Sequence, residues 1–196
     1  MNQSEHIEGL RKSAIELGAS DARVIPASMI PIQDEVLEMC RAPRCDGYGL
    51  SANCPPHAMT PADTRALVSQ YEWALLFKVD VPPDLLLSKD RFKAFRRIFE
   101  MAAQLEAQAV EIGYSRARGF AAGSCKPVFC REVECRVLAQ DEDCRVPTLA
   151  RSSMEAVGMN VFELVRQVGW EIHTILRKSD PESVPSGMLA GLILVG

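Results

Sequence analysis

At 196 residues, 47% of them apolar, the chain is long enough to bury a core as one domain or two small intimate halves, and too apolar to be disordered. Its net charge of −4 at pH 7 argues against general affinity for nucleic acid. The longest apolar stretch, 188–195, is far too short to span a bilayer, and the first residues lack the basic and apolar blocks of a signal peptide.

No membrane association is therefore expected, and the cytoplasm is the default compartment. Thiols stay reduced there, so the seven cysteines point to metal or redox chemistry rather than to a disulfide framework, which an odd number fits poorly.

In chain order, Ile7, Leu10, Ala14 and Leu17 recur at helical spacing and predict a helix over 4–17, stopped by Gly18. A short strand over 22–25 precedes a first cysteine segment. Thr60-Pro61-Ala62-Asp63 reads as a helix start: Thr caps, Pro takes the first turn and Asp faces the positive end. That helix runs to about residue 71, and 73–81 is a strand. Pro82, Pro83 and Asp84 mark a joint. Beyond it come a long helix over 91–112, a strand over 115–121 and a second cysteine segment. The capping box Ser152-x-x-Glu155 opens a helix to about residue 168, and strands follow over 170–176 and 188–195.

Each half, 1–83 and 84–196, thus reads helix, strand, cysteine loop, helix, strand. Residues 15–23 and 110–118 share Glu, Gly, Ser, Ala and Arg at matching places, and Gln70…Trp73 echoes Gln167…Trp170, as an internal duplication would leave. The expectation is a single α/β domain over 1–196: a mixed sheet with flanking helices, two pseudo-symmetric halves, and cysteine loops at strand ends.

The cysteines repeat a spacing. Cys40-x4-Cys45-x8-Cys54 recurs as Cys130-x4-Cys135-x8-Cys144, and Cys125 adds a fourth thiol upstream of the second copy. Four thiolates suffice for a [4Fe–4S] or [2Fe–2S] cluster. Zinc is the alternative, although its ribbons favour the C-x2-C knuckles that this chain lacks. The first set is one ligand short. Either its metal keeps an open position, or a further side chain fills it; Glu35, which aligns with Cys125, and His57, just past Cys54, are the candidates. Arg41, Arg131 and Arg145 are placed to offset thiolate charge. There is no Walker A sequence and no G-x-G-x-x-G. The basic stripe of Lys89, Lys93, Arg96 and Arg97 reads as a solvated helix face, or more sharply as a docking surface for an acidic redox partner.

Several of these segments carry a resemblance. Cys45-Asp-Gly-Tyr48-Gly49, Cys54-Pro55-Pro56, Gly123-Ser-Cys125, Cys144-Arg145-Val-Pro147 and Ser153-Met154-Glu155-Ala156-Val-Gly158 resemble the predicted metal-binding proteins of domain-of-unknown-function family 2284. The resemblance implies a cytosolic metal or iron–sulfur protein that carries its metal on the cysteines named.

The resulting expectation is an iron–sulfur protein with one or two clusters. A four-cysteine centre would relay electrons, and a three-cysteine centre would meet a small-molecule substrate or a redox partner protein. The alternative is a metal-stabilised, non-catalytic interaction module holding zinc.

Overall fold

The computed structural model describes residues 3–176 and 178–196. Four strands, β1 (Asp21–Pro26), β2 (Trp73–Val81), β3 (Arg118–Phe120) and β4 (Gly187–Val195), form one sheet in the order β1-β2-β4-β3. The class is α/β, as the sequence indicates. Every strand pair is antiparallel, where a mixed sheet was expected. The reason lies in the first excursion: the chain leaves β1, winds through the first cysteine segment, and returns to where it left, the Ala27 N–H donating to the Glu72 carbonyl at 2.9 Å. A strand that begins beside the end of its predecessor can only run back along it. A lone parallel bridge joins Ala121 to Ser153.

β2 and β4 lie in the middle and are buried on both faces, which is why each reads as a nearly unbroken apolar run. One face carries α1 (Gln3–Glu16) and α5 (Arg91–Glu111). Their stripes, Ile7, Leu10 and Ala14, then Ile98, Phe99, Ala102 and Leu105, pack on Leu75, Phe77 and Ile193. The other face carries α3 (Pro61–Val68) and α8 (Val161–Gln167), with Val68, Leu164, Val165 and Trp170 on Ala74, Leu76 and Leu192. The molecule is a three-layer sandwich.

Local chemistry explains the boundaries. Gly18, at φ 98°, ends the first helical segment as expected. At α3 the box is complete: Thr60 Oγ1 accepts from Asp63 N, and the Asp63 carboxylate accepts from Thr60 N. α3 stops at Val68, short of 71, because Ser69 Oγ and Gln70 Nε2 both donate to the Ala66 carbonyl. The capping box at Ser152 does not form. Instead Ser153 Oγ accepts from Ala156 N, the chain makes a single 3-10 turn (Glu155–Val157), and Gly158 at φ 86° breaks the path. Asn160 then caps α8 through Glu163 N.

The strand expected over 170–176 is absent, and that segment is irregular. Its apolar side chains go elsewhere: Ile172 and Ile175 turn to a cavity wall, and Trp170 joins the apolar cluster under α3 and α8. Finally, α4 (Pro83–Leu87) occupies the expected joint.

The basic stripe on α5 is largely spoken for. Arg97 donates to the Gly18 carbonyl and Arg96 to the Val128 carbonyl, while Lys93 pairs with Asp90.

Candidate metal centre

The first cysteine loop is wound by its own backbone. α2 (Asp34–Arg41) anchors through buried Val36 and delivers Cys40 in its last turn. The Cys45 N–H then donates to the Cys40 carbonyl, the Tyr48 N–H to the Cys45 carbonyl, and the Gly49 N–H to the Pro55 carbonyl at 2.7 Å. Cys54 sits in a further turn, closed by Cys54 N to the Ser51 carbonyl and by His57 N and Ala58 N to its own carbonyl.

The second loop uses two five-residue helices. In α6 (Cys125–Phe129), Ser124 caps by accepting from Lys126 N. Lys126 Nζ reaches the Cys130 carbonyl at 2.8 Å and so ties the helix to the second cysteine. Cys135 stands at the N-terminus of α7 (Arg136–Gln140), and Arg145 beside Cys144 donates to the Glu134 carbonyl at 2.7 Å. Past Cys144, Arg151 clamps the chain to α5. Its Nε and Nη2 meet the Glu106 carboxylate at 3.0 and 2.8 Å, and that carboxylate also accepts from Gly119 N.

These loops place all seven cysteines, each a free thiol, around two neighbouring cavities. Cys125, Cys130, Cys135 and Cys144 line a small one of about 40 Å³. Lys126, Arg136 and Arg145 line it too, and no carboxylate does among the described residues. Cys40, Cys45 and Cys54 line a wide one of about 870 Å³, together with Glu155 and His173.

The two sites touch. Cys54 Sγ lies 3.2 Å from Ser124 Oγ, the residue before Cys125. In exchange the first loop supplies Ser51 Oγ at 3.5 Å and Asn53 Nδ2 at 3.7 Å to Cys125 Sγ.

The electrostatics of the two walls differ. Burial, then the neighbouring Cys45, Glu155 and Cys54, push the Cys40 thiol up to about 11. Burial also raises Cys125, opposed by its hydrogen bonds with Ser51 and Asn53. Burial raises Glu155 as well, against hydrogen bonds from its own N–H and Ser153. Thiols so desolvated become thiolates when a cation compensates them, which is how metal binding and proton release couple.

The donor chemistry fits a soft metal: thiols line both cavities, cations stand beside the smaller one, and the Asn53 amide donates to Cys125 Sγ. Among the described residues no three of His, Cys, Asp and Glu are grouped so as to hold a single ion.

The structure does not bring Glu35 or His57 to either cavity; both are exposed and absent from the linings. In their stead, Glu155 and His173 accompany the three cysteines. Glu155 arrives because its 3-10 turn packs against α2. Its sequence signal was present but read as a helix cap. His173, alone in the sequence, gave none. Arg145 stands where a counter-charge was expected, whereas Arg41 and Arg131 are exposed and line neither cavity.

A family described as predicted metal-binding protein (DUF2284) matches residues 23–195. The protein belongs to this family. The range that makes it a DUF2284 protein takes in both cysteine sets and the whole sheet from Arg23 onward, and leaves α1 outside. No curated protein and no solved structure matches the chain. No helix among the described residues is long and apolar enough to cross a membrane.

Proposed function

We propose that this DUF2284 protein is an iron–sulfur redox protein. The small cavity would hold a four-cysteine cluster as an electron relay. The three-cysteine centre on the wide cavity would exchange electrons with a substrate or a partner protein. One observation carries this reading: four thiols from 20 residues of chain surround a single small cavity together with three cationic side chains. A thiolate cluster is anionic, and cations and sulfur-directed hydrogen bonds are what tune it. Adjacency supports the relay role, since Cys54 and Ser124 are in contact across the two walls.

The duplication belongs to the same proposal. β1 lies outside β2 as β3 lies outside β4, and α1 and α5 share one face while α3 and α8 share the other. That is the disposition two related halves would leave.

Purification without oxygen tests the reading. Iron and acid-labile sulfide in equal amounts, with a brown colour and a paramagnetic signal on reduction, are expected. A colourless protein with stoichiometric zinc would make it instead a structural metal module. Cys135→Ser should remove the signal of the small cavity alone, and Cys45→Ser that of the wide one.

A further inference from the structure

The wide cavity holds far more space than a metal centre needs. At about 870 Å³ it falls in the range of small-molecule sites, roughly 300–1,000 Å³. Its body is apolar, with Leu86, Phe95, Phe162, Ile172, Ile175 and Met188 on the walls. Polar side chains interrupt that surface, among them Tyr48, Ser153, Glu155, His173 and Arg91. Arg91 donates Nη1 to the Ser88 carbonyl at 3.0 Å and lies 4.6 Å from the Phe92 ring centroid. Among the described residues it enters no ion pair.

We propose that the cavity binds a small organic anion with an apolar body, its acidic group held by Arg91. A guanidinium holds an oxyanion through directed, charge-assisted hydrogen bonds and suits a carboxylate better than a neutral head. Binding stands on the cavity alone. Only the statement that the anion is presented to the three-cysteine centre, as its substrate, rests on the iron–sulfur reading.

Octanoate, octanol and octylammonium share an apolar chain and differ in head charge. Titrated calorimetrically into the protein as purified without oxygen, octanoate should bind one per chain, about ten-fold or more tighter than octanol, the size of one charge-assisted hydrogen bond, with octylammonium weakest. Arg91→Met should bring octanoate down to the octanol level and leave octanol unchanged. Arg91→Lys, a second variant in case the first fails to fold, should keep a reduced preference for octanoate. Equal affinity for the three heads, no saturable binding, or an Arg91→Met protein with wild-type preference overturns the proposal. Iron content and the paramagnetic signal, measured on the same samples, should be unchanged by Arg91→Met. Iron-free protein that still prefers octanoate would sink the metal reading and spare this one. Iron-loaded protein indifferent to octanoate would do the reverse.

Discussion

A Cβ added to Gly47 would lie 2.9 Å from Ser124 Cβ and 3.5 Å from Cys54 Sγ. Gly47 is thus where the first cysteine loop closes on the second, and a methyl group there would wedge them apart. Gly47→Ala is expected to cost about 1–3 kcal/mol, as overpacking does. It should also speed loss of bound metal, read by release to a chelator, because the two walls meet at this point. Gly113 has open space around it, and although its φ of 108° makes alanine there strained, Gly113→Ala should leave metal release unchanged. A second residue-scale effect concerns the clamp. Glu106 and Arg151 are mostly buried, 24% and 10% exposed at the side chain, and one carboxylate serves both Arg151 and Gly119. Glu106→Gln keeps an acceptor but loses the charge, so thermal unfolding should show a loss of about 1–2 kcal/mol. Glu106→Ala should cost more, since it orphans the guanidinium.

At the scale of elements, the packing of β2 on β4 depends on a gap left by a glycine. Gly191 pairs with Phe77, and a Cβ on Gly191 would meet the Phe77 ring at 2.3 Å. Gly191→Ala should therefore destabilise by about 1–3 kcal/mol, and Phe77→Leu in the same chain should return part of that loss, which a double-mutant cycle would measure. The α3 cap adds a pH effect. Hydrogen bonds from the Thr60 hydroxyl and N–H hold Asp63 below the ordinary carboxylate range. A depressed folded value means that its contribution is present above the unfolded value, near 4, and fades as pH falls through the lower folded one. Asp63→Asn should flatten the acid side of the stability curve by lowering its neutral plateau, while stability below the folded value stays nearly unchanged.

These elements also show what a sequence can disclose. The strand at Trp73–Val81 and the helix at Arg91–Glu111 were legible because their apolar patterns are long and self-consistent. The helix expected from Ser152 was not, although Gly158 and a second cap at Asn160 both sat inside it as warnings. An alternating apolar pattern at Trp170 reads as a strand, although its apolar side chains serve a cavity wall and a cluster beneath the helices, which is a tertiary property. The cysteines were legible by spacing, a local property. Glu155 and His173 reach the cavity through tertiary packing, so nothing near them in sequence announces a role.

At the scale of the molecule, stability is divided unevenly. The sheet rests between two apolar clusters that include most of the buried residues. The second cysteine loop is anchored only at its ends: α6 seats Val128 and Phe129 on the core and Arg151 holds the far end, but α7 buries nothing, and Cys130, Cys135 and Cys144 are only partly covered. A segment with so little apolar burial must draw its order from what its thiols grip. Removing the metal should consequently loosen 130–145 while leaving the sheet intact. Hydrogen exchange is the measurement. Amides from Cys130 to Arg145 should lose protection on chelation, while those of β2 and β4 keep theirs. A uniform loss across sheet and loop would mean that the metal supports the whole core. No change anywhere would mean that the thiols hold nothing on which the loop depends.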